Sequence, residues 1–159
     1  MTGPDGRWLA TGTHVERAVR LWDVADGTLI QTKTVGPGPQ GVFSSDGRWL
    51  AMTSDRGFHL CETGTWKPVV PPSLREGRPI LSAAAFSPDS RTLALVVDRF
   101  TVQLFDLRNF ASLGILRPPG AIHLRGLTFS PDGSRLAAVG PEARVSVCRS
   151  WPLGSKVTL

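Results

Sequence analysis

Four aspartates, Asp5, Asp46, Asp89 and Asp132, recur at steps of 41, 43 and 43 residues. Carboxylates repeated so regularly could converge on a cation or share a proton. Each, however, sits in a copy of one phrase, Phe-Ser-Pro-Asp-Gly-Arg-x-Leu-Ala, best preserved as Phe86-Ser87-Pro88-Asp89-Ser90-Arg91-Thr92-Leu93-Ala94 and Phe129-Ser130-Pro131-Asp132-Gly133-Ser134-Arg135-Leu136-Ala137. In such a phrase Pro presets φ, Asp accepts from its own backbone, and Gly takes the left-handed position that follows. This turn role accounts for the aspartates. The three histidines, His14, His59 and His123, show no metal-binding spacing. Cys61 and Cys148 are too few for a disulfide framework or a zinc knuckle and read as buried thiols in apolar runs. No Gly-x-Ser-x-Gly elbow occurs. The glycines of Val35-Gly36-Pro37-Gly38-Pro39-Gln40-Gly41 alternate with prolines, which lack the N–H groups of a phosphate cradle. No catalytic residue, cofactor site or metal site is assigned, and the chain reads as a non-enzyme.

The elements that must carry these residues are short strands. Of the 159 residues, 41% are hydrophobic and 19% charged, the balance of a soluble globular protein. Gly 17 and Pro 13 suit many strands joined by many turns. Strands are expected at 7–12, 18–23 and 28–34; at 40–43, 48–53, 58–62 and 66–70; at 79–86, 91–97, 101–106 and 112–116; and at 124–129, 135–139, 144–149 and 156–159. The expectation rests on alternation and turn residues. No helical period is present. A repeat of this length marks an array of like units. The Met1-Thr2-Gly3-Pro4-Asp5-Gly6 start has no apolar stretch, and no segment reaches the roughly 18 apolar residues of a membrane helix. Neither a signal peptide nor a membrane partner is expected, and the cytoplasm is the expected compartment.

A four-strand unit of about 40–45 residues with a Trp-Asp pair closing its third strand resembles the WD-repeat β-propeller family over the full length. The Trp-Asp position is filled by Trp22-Asp23, Cys61-Glu62, Phe105-Asp106 and Cys148-Arg149, at steps of 39, 44 and 43 in register with the turn phrase. The resemblance implies an all-β fold: a partial β-propeller of four WD-type blades, the first lacking its inner strand. The single array 1–159 divides into an incomplete blade 1 over 1–37, blade 2 over 38–78, blade 3 over 79–121 and blade 4 over 122–159. The family's Gly-His is missing. With Phe105 and Cys61 facing the Asp98 and Asp55 positions, its buried His–Asp–Ser/Thr–Trp network is read as broken in every blade. Trp8 and Trp49, at equivalent places after the turn Arg, are read as packing on the neighbouring sheet.

In that family the loops entering inner strands share one face with the hairpins between second and third strands. The hairpin charges cancel as Glu16/Arg17, Asp55/Arg56, Asp98/Arg99 and Glu142/Arg144. The entering loops, with Lys33, Arg75 and Arg78 against Glu76, and Arg117 and Arg125, carry +4 of the chain's +5. Arg75, Arg78, Arg117 and Arg125 are the candidate partner-binding residues, for an acidic protein or peptide. The cations are spread singly, without a Lys/Arg run or an aromatic platform, which argues against nucleic acid. Open propeller edges invite self-association. The Arg-rich, Lys-poor repeats resemble bacterial WD-repeat proteins, in which such arrays are appended to signalling modules. The implied function is a non-catalytic protein–protein interaction scaffold, part of a larger propeller or signalling protein. The alternatives are a propeller enzyme with a central-channel site, or a truncated fragment without independent function.

Overall fold

The computed structural model describes residues 1–13, 15, 17–69, 83–118, 123–140 and 145–149. Within them the chain is all-β, with fourteen strands in four small antiparallel sheets. Sheet 1 is β1 (Trp8–Thr13), β2 (Ala18–Asp23) and β3 (Leu29–Thr34). Sheet 2 is β4 (Gln40–Phe43), β5 (Trp49–Ser54), β6 (Gly57–Glu62) and β7 (Pro68–Val69). Sheet 3 is β8 (Ala84–Phe86), β9 (Thr92–Asp98), β10 (Thr101–Asp106) and β11 (Ser112–Leu116). Sheet 4 is β12 (Gly126–Phe129), β13 (Arg135–Val139) and β14 (Val145–Arg149). Strands pair in chain order within every sheet. No helix among the described residues is long and apolar enough to cross a membrane.

The repeated phrase forms the tight turn its residues dictate. Oδ1 of Asp5, Asp46, Asp89 and Asp132 accepts the amide two residues on, from Arg7, Arg48, Arg91 and Ser134, at 2.9–3.1 Å. In the last three copies the Ser hydroxyl donates to the same oxygen, Ser44 to Asp46 at 2.5 Å, Ser87 to Asp89 at 2.5 Å and Ser130 to Asp132 at 2.6 Å. That hydroxyl also accepts the amide five residues on, from Trp49, Thr92 and Arg135, each at 2.9 Å. Gly6, Gly47 and Gly133 take φ of 70–71°, and Ser90 is held at 56° in the same place. The serine there has a compensation, because its hydroxyl accepts the Asp46 amide at 3.0 Å and ties the second turn to the third.

Each sheet buries its faces on its neighbours, because sheets of three or four short strands are not stable alone. Period-two alternation sends Leu50 and Met52 of β5 into a core with Ala10, Val19 and Leu21 of sheet 1. It sends Trp49 and Ala51 the other way, against Phe86, Leu93, Leu95 and Phe105 of sheet 3. A third core joins Ala94, Val96, Val102 and Leu104 of sheet 3 to Leu136 and Ala138 of sheet 4. The sheets therefore pack in the order 1-2-3-4.

An aromatic clasp recurs across these interfaces. Trp8 of sheet 1 meets Trp66 of sheet 2 edge to face at 5.2 Å, and Trp49 of sheet 2 meets Phe110 beside sheet 3 at 5.6 Å. Arg7 and Arg48 stack over Trp8 and Trp49, 4.3 and 4.9 Å from the ring centroids. Trp49 is only 5% exposed and Trp8 is half-buried, so both are core anchors, as the spacing implies.

The structure departs from the sequence expectations at three places. β7 starts at Pro68 and not at 66 because the Trp66 amide donates to the Glu62 carbonyl at 2.8 Å and Trp66 sits at φ 55°, which closes a turn instead of starting a strand. The leading strand of sheet 1 is reduced, not lost. The Met1 ammonium donates to the Ala10 carbonyl at 3.0 Å, the Ala10 amide donates back at 2.9 Å, and Thr2 bridges Leu9. One link of the side-chain network also stands, since Trp22 Nε1 donates to Thr11 Oγ1 at 2.9 Å. The expected strand at 156–159 and residues 79–82 of the strand expected at 79–86 lie outside the described residues.

Two expected outcomes follow from this packing. Trp49→Ala lowers stability by about 3–5 kcal/mol, whereas Trp8→Ala costs less, a contrast that urea denaturation measures. The Ser130 hydroxyl, with the Ser134 amide and hydroxyl, holds the Asp132 carboxyl down at about 2 from its ordinary 3.8. The Arg108 side chain and amide hold Asp106 at about 2 in the same way. Because these folded values are depressed, their stabilising contribution is present above the ordinary carboxylate value and is lost as pH falls toward about 2. Carbon-detected NMR titration should place the Asp132 midpoint near that value; a midpoint at 3.8 would refute the assigned turn bonding.

Candidate functional site

The aspartate turns occupy one end of every sheet, and strand direction puts the hairpins β1–β2, β5–β6 and β9–β10 at the other. The segments that enter β4 and β12 lie at that end too. The Val35 and Gly36 amides donate to the Arg17 carbonyl at 3.0 and 2.9 Å, and the Asp55 amide donates to the Pro37 carbonyl at 3.1 Å. The Ser54 hydroxyl donates to the Val35 carbonyl. Near sheet 4, the Leu124 amide donates to the Arg99 carbonyl at 2.9 Å. Hairpins and entering segments are thus stitched into one loop face: the β1–β2 and β9–β10 hairpins bond the segments that lead into the following sheets, and the β5–β6 hairpin bonds the segment that enters its own sheet.

Two of the four candidate arginines are on this face. Arg117 is exposed directly after Leu116, which pairs with Val102 beside the β9–β10 hairpin. Arg125 is exposed before β12, its amide donating to the Val139 carbonyl at 2.7 Å. Arg75 and Arg78 lie outside the described residues. Lys33, counted with the same face in the sequence, is occupied elsewhere. Its ammonium donates to the Trp66 carbonyl at 3.0 Å, between sheets 1 and 2. A four-carbon stem long enough to cross a sheet interface is the physical reason a strand-end lysine left the loop face.

Sequence reasoning missed the aromatic centre of the site. Phe100 at the β9–β10 tip is 42% exposed, and its ring meets the exposed His123 ring at 5.8 Å and 69°. Arg99 is exposed beside it. The neighbouring acid is bonded within the turn, with Asp98 Oδ1 accepting the Phe100 amide at 2.8 Å. The signal was legible: Asp98-Arg99-Phe100 stands where the preceding hairpin reads Asp55-Arg56-Gly57. Phenylalanine replaces the residue that takes a left-handed φ of 152° in that hairpin. The result is an aromatic pair bordered by cations, able to pack an apolar side chain while Arg99 and Arg125 engage carboxylates.

The other chemistry-bearing residues are committed elsewhere. The four turn aspartates are bonded within their own turns at the opposite end. Cys61 is buried, and that burial pushes its thiol up despite the nearby Lys33 ammonium, so it is not a poised nucleophile. Among the described residues no group of three or more His, Cys, Asp or Glu is placed to hold a metal ion.

The chain matches no protein-family model, and no curated protein matches it.

Gly36 is the residue on which the stitching of the second hairpin turns. Its φ is 115°, and a Cβ there would lie 2.8 Å from Ser54 Oγ and 3.0 Å from Arg56 Cβ. Gly36→Ala is expected to cost about 1–3 kcal/mol and to raise amide exchange at Asp55, read by hydrogen-exchange mass spectrometry.

Proposed function

We propose that this chain is a partial β-propeller of four WD-type repeats, serving as a non-catalytic platform for an acidic protein or peptide segment. The repeat register, the three- and four-stranded sheets and their serial packing support the propeller reading. The observation that carries the partner reading is the exposed Phe100–His123 pair beside Arg99, Arg117 and Arg125. A rigid stack that presents its hairpins and entering segments on one face suits recognition, since loops on a fixed frame can vary without disturbing the core. An acidic segment with one large apolar side chain fits this chemistry: the side chain packs on the rings and its flanking carboxylates meet the guanidinium groups.

A fluorescein-labelled peptide rich in glutamate around a single leucine is a suitable probe. Its anisotropy should rise on titration with the chain, and the binding should weaken in about 0.5 M salt, where charges are screened within a few ångströms. Phe100→Ser combined with Arg125→Ser should weaken binding by about tenfold or more. Binding that survives Arg75→Ser, Arg78→Ser, Arg117→Ser and Arg125→Ser together would remove the proposed acidic specificity.

A further inference from the structure

The three internal sheet interfaces are built from one pair of surfaces used repeatedly. On the side of a sheet that faces the next sheet along the chain, sheet 3 presents Ala94, Val96, Val102 and Leu104 to sheet 4. The equivalent positions of sheet 2 include Ala51, Phe58 and Leu60, packed on sheet 3. Those of sheet 1 include Ala10, Val19 and Leu21, packed on sheet 2. The opposite, receiving side carries Leu50 and Cys61 in sheet 2 and Leu93 and Phe105 in sheet 3.

Among the described residues each of these surfaces appears once more, without a neighbouring sheet against it, at an end of the stack. A step of 43 residues from Ala94, Val96, Val102 and Leu104 gives Ala137, Val139, Val145 and Val147 of sheet 4. They share one face, since Ala137 pairs with Val147 and Val139 with Val145. Val145 and Val147 are 58% and 55% exposed, whereas Val102 and Leu104 are buried. At the other end, Leu9 and Trp22 stand where Leu50 and Cys61 stand in sheet 2. Leu9 pairs with Trp22 and Trp22 with Leu29, an apolar row across sheet 1 that ends in the 44%-exposed Leu29. β-branched residues exposed side by side on a sheet face are a site of association.

The clasp positions change together at these two ends. Inside the stack, Trp8 and Trp49 meet Trp66 and Phe110, the aromatics that close the turn after the third strand of the next sheet. In sheet 4 the Trp8/Trp49 position is Arg135, whose carbonyl accepts the Ser130 amide as the Trp49 carbonyl accepts that of Ser44. In sheet 1 the Trp66/Phe110 position is Gly27, whose amide closes the same turn onto the Asp23 carbonyl. Asp26 immediately precedes it, and Arg135 and Asp26 are both exposed. At the first two internal interfaces the clasp is aromatic on aromatic, sheet 3 carries Thr92 at the Trp8/Trp49 position, and the two free ends offer a cation and a carboxylate.

We propose that the chain self-associates head to tail, with sheet 1 of one copy seated on sheet 4 of the next in the packing mode of the internal interfaces. A second copy is the occupant because it supplies the receiving surface that three internal interfaces already pair with the leading one, and because it brings Asp26 to Arg135. The contact is heterologous, so its two patches differ and it propagates, closing into a ring if the rotation permits and extending as a filament otherwise. It is independent of the loop-face reading, whose residues it does not use.

The test is light scattering on the full chain and on two variants blocked at opposite ends. Val145→Asp with Val147→Asp disables the sheet 4 face, and Leu29→Asp disables the sheet 1 face. All three residues are exposed, so the fold should persist, as circular dichroism would verify. The unaltered chain is expected above monomer mass at micromolar concentration, and each variant alone as a monomer. An equimolar mixture of the two variants should give a one-to-one dimer, because each retains the face the other lacks. Arg135→Glu alone should weaken association, and Arg135→Glu with Asp26→Arg in one chain should restore it. A monomeric unaltered chain overturns the proposal. So does a mixture that stays monomeric, or association that persists when both variants' substitutions are combined in one chain.

Discussion

The constraint on which the structure depends is that no sheet here can bury a core by itself. Each has at most four short strands, so both faces of an inner sheet must be covered by neighbours. β5 shows the consequence most fully, since all six of its residues, Trp49–Ser54, are buried and alternate between two separate cores. A strand in that position has no solvent side on which polar residues could be placed. Thr53 and Ser54 are tolerated because they stand at its hairpin end, where the Ser54 hydroxyl donates to the Val35 carbonyl. Among the described residues no buried side-chain nitrogen or oxygen lacks a hydrogen-bond partner, the condition a core this narrow requires.

That constraint fixes where chemistry can reside. The strands and the Ser-x-Asp turns are consumed by folding: their carboxylates are bonded by local hydroxyls and amides, and Asp132 is thereby held at about 2. Lys33 and Cys61 are likewise taken into the gap between sheets 1 and 2. What remains free to vary is the tip of each hairpin. The β9–β10 hairpin, one residue longer than β5–β6 and with a register shift between Thr101 and Val102, shows how a change at the tip presents the exposed Phe100 while the pairing beyond it continues.

Much of this was legible in the sequence because turn chemistry and strand alternation coincided. The strands at 18–23, 40–43, 101–106, 112–116 and 135–139 have the expected bounds, since each is delimited by residues that must turn and filled by residues that must alternate. The failures have a common origin in tertiary contacts. Trp66 carries a strong strand propensity, and only its docking on Trp8 shows why it accepts a left-handed φ of 55°. The inner strand of the first unit reads as missing, yet the Ala10 backbone exchanges hydrogen bonds with Met1 and Thr2 bridges Leu9 alongside β1. Lys33 reads as a surface cation because nothing local reveals the Trp66 carbonyl opposite it. Of the candidate site, Arg117 and Arg125 were found by charge counting, while Phe100 and His123 become a pair only through the hydrogen bond from Leu124 to Arg99 that brings two loops together.

A repeat array also makes its exceptions informative. At a position where three copies pack against a neighbour, the fourth copy's residue is released from that duty if its neighbour is absent. It should then drift toward polar residues unless something else retains it. Gly27 has drifted from the aromatics Trp66 and Phe110, and Arg135 from Trp8 and Trp49, although sheet 3 already carries Thr92 at that place. Val139, Val145 and Val147 have not, remaining as apolar as Val96, Val102 and Leu104. Retained valines at 58% and 55% exposure cost solubility and contribute nothing to the sheet's own hydrogen bonding. The same face therefore combines a retained apolar centre with a charged margin, the arrangement of a surface that binds and separates from its partner more readily than a core interface does. On this reasoning the inner interfaces, with fully buried apolar centres, are the permanent ones, and the outer faces are those built to exchange.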